Sequence, residues 1–136
     1  MKNSDNKTQN QNYTDRSPGI AIVAFFMIAA GCAEMITGFR HNFFGIVTSG
    51  EKVLTISSVI IGGFYAIAGM LLLTKKKSAA RVALILLCID FLGRISLVLS
   101  HLYPTDSVKN TLSIIAGTVI VIVIAIYIGM KMKTFN

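Results

Sequence analysis

Charge is what this chain has least of. Acidic residues number six in 136, and Asp, Glu, Lys and Arg together make up 14% of the sequence. A water-soluble domain carries about 25%, so this chain does not have to cover itself with a polar surface. Cysteine is scarce too. Cys32 and Cys88 lie in different apolar runs, and helical rise places them roughly 18 Å and roughly 9–10 Å from the same membrane face. That offset argues against a disulfide, which needs Cα atoms within about 7 Å. Two cysteines with no histidine nearby do not make a zinc site. There is no His-x-x-x-His, no nucleophile elbow and no phosphate loop, so no cofactor or metal is expected. What the chain does have is apolar residues: 54% of the sequence, with a mean hydropathy of +0.69.

Those residues fall in four runs. Ile20–Phe39 carries one charge, Glu34, and Val53–Thr74 carries none. Val82–Leu102 carries Asp90, Arg94 and His101, and Leu112–Met130 carries no charge. A hydrocarbon core of about 30 Å takes roughly 20 helical residues to cross. Backbone groups in lipid must be satisfied within the segment, so each run predicts a helix. The Val/Ile density of the fourth would suit a strand in water, but its length favours a spanning helix. The expected fold is an all-α, four-helix transmembrane bundle over residues 19–136. Residues 1–18, rich in Asn, Gln and Lys, bury too little apolar surface to order themselves and are expected to form a disordered tail.

Lys and Arg in the loops set the orientation. The tail, the loop after the second run and the C-terminus hold Lys2, Lys7, Arg16, Lys75, Lys76, Lys77, Arg81, Lys131 and Lys133; the opposite side holds Arg40, Lys52 and Lys109. The richer side is assigned to the cytoplasm, with both termini inside, in the plasma membrane of a microbe. The net charge of +7 is then mainly a topology signal. Lys75–Arg81 reads as an anchor at the lipid surface, with an anionic-lipid or nucleic-acid site as the alternative. The expected partners are the bilayer, and a second copy or a larger membrane complex; no nucleic acid is expected. No cleavable signal peptide stands out, and the first run fits a signal anchor. Ala29-Ala30-Gly31-Cys32 also has the form of a lipoprotein cleavage box, which would make Cys32 a lipidated N-terminus. The long polar stretch before it and the three further spans argue against that.

Charges inside a span cost roughly 2.5–3.5 kcal/mol each on insertion scales, and here they are not scattered. Arg94 lies about 40° and His101 about 20° from Asp90 around a helix. One stripe of the third span therefore carries all three, with Leu97 interrupting it. Asp90 and Arg94, four apart, can pair. Glu34 and Arg94 fall at the same depth, roughly 21 Å and 20 Å from the inner face. Glu34 is thus expected to face Arg94, making a net-negative triad between the midplane and the outer leaflet.

Several residues surround that triad. Glu34 and His41 are seven apart, as are Arg94 and His101. This places both histidines at the outer rim and hints at a duplicated two-helix unit. Tyr65 shares a face with Ser58, Gly62 and Gly69, and its hydroxyl is a candidate to join the cluster. Gly31 with Gly38, and Gly62 with Gly69, have the spacing that lets helices approach closely. The fourth span has no polar stripe and reads as lipid-facing or as an oligomer face. In Gly38–Gly45, phenylalanines flank Arg40, His41 and Asn42; the stretch suits an interfacial anchor or, alternatively, a gate over the triad.

The binding residues expected are therefore Glu34, Asp90, Arg94, Tyr65, His101, Arg40 and His41. Ala33-Glu34-Met35-Ile36 resembles the segment around the membrane-embedded glutamate of small multidrug-resistance exporters, which are four-helix proteins of comparable length. The resemblance covers a few residues. That family relies on a tryptophan in its third helix, which this chain lacks, and it has no charges there, where this chain has Asp90 and Arg94. The chain is not assigned to it. Intramembrane acid and base groups point first to binding or transport of a small solute, ion or proton. The second reading is an accessory subunit whose triad fixes helix packing. The third is an enzyme acting on a lipid or quinone through His41, His101, Glu34 and Asp90.

Overall fold

The computed structural model describes residues 18–40, 42–43, 46–47, 52–103 and 107–135. Helix α1 (Pro18–Arg40) leads into a short antiparallel hairpin, β1 (Asn42–Phe43) with β2 (Ile46–Val47). Then come α2 (Lys52–Leu73), α3 (Lys77–Leu99), α4 (Val108–Met130) and a closing 3₁₀ turn, Met132–Thr134. All four helices are long and apolar enough to cross a membrane. At 22 or 23 residues they extend about 33–35 Å. The chain reverses after each one. One end of the bundle therefore holds the hairpin and the α3–α4 connection, and the other holds the α2–α3 link and the closing turn.

Four details differ from the sequence expectations. The α1–α2 connection pairs its backbone in a ladder, Asn42 with Val47 and Phe43 with Ile46, which satisfies peptide groups a bare loop would leave to other partners. Pro18, counted with the tail, opens α1, where its missing N–H costs nothing; the rest of the tail lies outside the described residues. Helix α3 starts at Lys77, not Val82, because Lys-Ser-Ala-Ala-Arg contains nothing that breaks a helix. Only Thr74–Lys76 link α2 to α3. Helix α4 begins at Val108 rather than Leu112, with Ser107 at its N-cap position in extended backbone.

The largest difference is at the end of α3. The helix stops at Leu99. Leu102 N–H bonds the Leu97 carbonyl (3.1 Å) and His101 N–H bonds the Val98 carbonyl (3.1 Å). Together with φ 53° at His101, this is a Schellman C-cap, a motif that glycine usually fills. Pro104, three residues on, disfavours helix in the residue before it. His101 therefore leaves the helix and is exposed; it does not extend the stripe of Asp90 and Arg94.

Packing is closest between α1 and α2. A Cβ at Gly31 would stand 2.5 Å from the Gly62 carbonyl oxygen, and one at Gly69 would stand 2.7 Å from that of Ala24. The two backbones touch, as the glycine spacing predicted. Helix α2 lies between α1 and α3, and α4 packs on α3. Between α1 and α4 runs a wholly apolar cleft of about 330 Å³, lined by Ile22, Val23, Phe26, Val119, Ile120, Val123 and Ile124. The α1–α2 pair and the α3–α4 pair are thus not equivalent, and no duplicated unit is seen among the described residues. Cys32 and Cys88 are not joined in a disulfide, as their offset predicts, and both are exposed on the bundle surface rather than packed inside it.

The core is divided. One apolar cluster, with Met27, Leu72, Leu87, Ile128 and Phe135, fills most of the bundle from the closing turn upward. A smaller one, Leu54, Ile61, Leu97 and Tyr103, lies at the hairpin end. Along α3 the buried face reads Leu87, Asp90, Leu97. The charges sit between the two clusters.

Candidate functional site

Helical spacing places Asp90 on the buried face of α3. Ala80, Ala83, Leu87, Asp90 and Leu97 recur at steps that return to one side of a helix, so the aspartate is carried inward with the alanines and leucines. It is wholly buried. One turn on, the Arg94 Nε donates to Asp90 Oδ2 at 3.0 Å. Arg94 Nη2 donates to Glu34 Oε2 on α1. A single guanidinium therefore joins two carboxylates from two helices, using the fork of donors that arginine offers. The fourth helix closes the site with a glycine: a Cβ at Gly117 would stand 3.6 Å from Arg94 Nη1.

Depth explains why these groups meet. Glu34 lies about 24 Å along α1 and Arg94 about 25 Å along α3, both measured from the closing-turn end. The expected juxtaposition of Glu34, Asp90 and Arg94 is present in the structure.

Two features of the cluster are chemically open. First, two carboxylates share one guanidinium, which leaves one negative charge in excess when all three are ionised. Second, two buried polar atoms have no hydrogen-bond partner: Asp90 Oδ1 and the Tyr65 hydroxyl oxygen. Such atoms cost about 1–3 kcal/mol each when left unpaired, so each calls for an explanation. Tyr65 and Asp90 lie at one level. Gly93 on α3 abuts Ile61 on α2, and Asp90 and Tyr65 each stand about one turn from that contact toward the closing-turn end.

Exposure grades across the site. The Asp90 side chain is 0% exposed, that of Arg94 12% and that of Glu34 19%. Asp90 is therefore the sealed floor of the cluster and Glu34 its open edge.

Tyr103 escaped the sequence reading. It lies beyond the end of α3, packed with Leu54, Ile61 and Leu97. Burial, and after it the Glu34 carboxylate, push its phenol up to about 12. The signal available was Pro104, which disfavours helix in the residue before it and so sets Tyr103 outside the helix. Gly117 was missed as well, because a glycine in an uncharged run carries no sign of what it adjoins. Of the other expected residues, Arg40 is exposed at the last position of α1, a helix end that favours a cation. His41 lies outside the described residues. Among the described residues, no group of three or more His, Cys, Asp or Glu is placed to hold a metal ion. No protein-family model, no curated protein and no solved structure matches the chain.

Proposed function

We propose that this is a multi-pass membrane protein whose Glu34–Arg94–Asp90 cluster binds or transports a small solute, an ion or a proton. Both termini lie in the cytoplasm, as the nine cations on the terminal side against three on the other favour. The cluster then sits between the midplane and the outer leaflet of the plasma membrane. The observation that carries this reading is the incomplete pairing of a buried site: two carboxyl groups on one guanidinium, with two unpartnered polar atoms, Asp90 Oδ1 and Tyr65 Oη. A site built only to hold helices together gains from satisfying every group, because a half-satisfied buried network destabilises the fold. A site that receives something keeps groups in reserve.

Proteoliposomes of the full chain test the transport side. With a pH-sensitive dye inside and an imposed proton gradient, the parent is expected to dissipate the gradient faster than protein-free vesicles. Glu34→Gln is expected to fall to the protein-free rate. Equal rates for parent, variant and empty vesicles would contradict transport of protons.

One observation favours the accessory reading. Helices α1 and α3 both lie against α2, and the Glu34–Arg94 pair bridges them directly. That pair suits a register device in a subunit that assembles with other proteins.

A further inference from the structure

We infer that the apolar cleft between α1 and α4 seats an acyl chain of an anionic phospholipid, whose headgroup rests on Lys131 and Lys133 at the closing-turn end. This site is separate from the Glu34–Arg94–Asp90 cluster and does not depend on the function proposed for it.

Ile22 and Phe26 on α1, with Val119 and Ile124 on α4, mark the extent of the cleft. Measured from the closing-turn end, its lining stands about 6 to 16 Å deep. One leaflet contributes about 15 Å of hydrocarbon, so the cleft lies within the leaflet on that side. The charged cluster, at about 24 Å, lies beyond it. The lining offers no polar surface, so water entering it would find no hydrogen-bond partner. An empty cleft would forfeit the dispersion contacts of its walls. Size decides what fills it. A volume of about 330 Å³ over about 10 Å of depth gives a cross-section of about 30 Å², against about 80 Å² for a helix 10 Å across. A helix of a partner or of a second copy does not fit inside. A single hydrocarbon chain does. Ile22 is 67% exposed and Val123 58%, so the chain enters sideways from the bilayer.

Charge identifies the lipid. Helix α4 ends at Met130, but Lys131 N–H still bonds the Tyr127 carbonyl at 3.0 Å, so the helical period carries through it. Lys131 comes eleven residues after Ile120 and lies about 20° from it around the helix. That places it over the mouth of the cleft. Lys133 follows, exposed in the closing turn. Neither lysine pairs with an acid among the described residues. The same end carries Lys75, Lys76, Lys77 and Arg81, and no Asp or Glu among the described residues. An anionic phosphate supplies the missing charge, and basic pockets between spanning helices bind such headgroups.

The chain has no tryptophan, so an introduced one reports its own surroundings. Tyr127→Trp stands between the cleft and Lys131. The full chain carrying it is reconstituted in phosphatidylcholine vesicles with a fixed fraction of brominated phosphatidylglycerol or of brominated phosphatidylcholine. Quenching then gives the relative binding of the two lipids. Both leaflets are alike, so the direction of insertion does not matter. The expected preference for phosphatidylglycerol is on the order of tenfold, from two lysines near the surface. Adding Lys131→Gln and Lys133→Gln should bring the ratio close to one. Lys76→Gln with Lys77→Gln removes as much charge from the α2–α3 link, and neither of those helices lines the cleft; the ratio should hold. Val123→Phe fills the cleft from its exposed side without crowding the core and should cut the preference severalfold. Equal quenching by the two lipids would overturn the inference. So would a preference that survives the loss of Lys131 and Lys133, or one lost equally with Lys76 and Lys77, which is diffuse attraction to a charged surface. A preference untouched by Val123→Phe would overturn the seating of the acyl chain.

Discussion

Arg94→Leu is expected to be the most destabilising single substitution in the bundle, at about 3–5 kcal/mol. Among the described residues Arg94 is the only cation joining Glu34 on α1 to Asp90 on α3. Its loss leaves two carboxylates facing each other with little access to water. Removing a partner from a buried ion pair strands the opposite charge, which is why the cost exceeds the value of the pair itself. Glu34→Gln should cost only about 1–2 kcal/mol, since Arg94 and Asp90 remain matched and the lost group stands at the open edge. Thermal unfolding in detergent ranks these variants. Adding Asp90→Asn to Arg94→Leu should recover part of the loss, because the two sites share one network and their effects do not add. Strict additivity would mean that the charges are solvated separately.

Gly31→Leu is expected to come next, by a different mechanism. A Cβ there already meets the Gly62 carbonyl oxygen at 2.5 Å and the Ala66 backbone nitrogen at 2.6 Å. Backbone cannot rotate away as a side chain can, so α1 and α2 must separate along their closest contact. Overpacking of this kind costs about 1–3 kcal/mol, and a leucine against backbone belongs at the upper end. Gly63 is the control. A Cβ there meets nothing within 4 Å, and alanine is the better helix former by about 0.5–1 kcal/mol. Gly63→Ala should therefore unfold at or above the parent temperature while Gly31→Leu unfolds well below it. If the two behave alike, the close approach of α1 to α2 is wrong.

Which parts of this structure could be read in the sequence depended on what set them. The four helices follow from the length and purity of the apolar runs, because lipid leaves the backbone no other choice. The meeting of Glu34 with Arg94 followed from depth alone, since the bilayer gives every residue of a span a calculable height. The Asp90–Arg94 pair followed from helical periodicity. Helix ends were less legible. The apolar runs mark where lipid begins and not where the helix does, so α3 starts five residues earlier than its first valine and α4 four residues earlier than its first leucine. His101 was placed on the stripe by extending a period across Ser100, where a C-cap overrides it. Lateral neighbours were not legible at all. Nothing in the run from Leu112 to Met130 shows that Gly117 would adjoin Arg94, or that α1 and α4 would stand apart across an apolar cleft.

The central claim is that the cluster exchanges a solute, an ion or a proton with solution, and cysteine accessibility on its hairpin side tests that most directly. Thr37 lies one turn beyond Glu34 toward that end, on the flank of α1 that carries Val23 and Phe26, the residues facing α4. Ile36 is at the same height but points away from the bundle, 43% exposed in the isolated chain and hence against lipid. In a chain with Cys32→Ser and Cys88→Ser, each variant is treated in vesicles with a water-soluble, membrane-impermeant thiol reagent. Val108→Cys, at the hairpin end and 86% exposed, serves as the positive control. The prediction is that Thr37→Cys reacts and Ile36→Cys does not. If Thr37→Cys stays as silent as Ile36→Cys while Val108→Cys is labelled, no water reaches the cluster from the hairpin end, and the charges are a packing device.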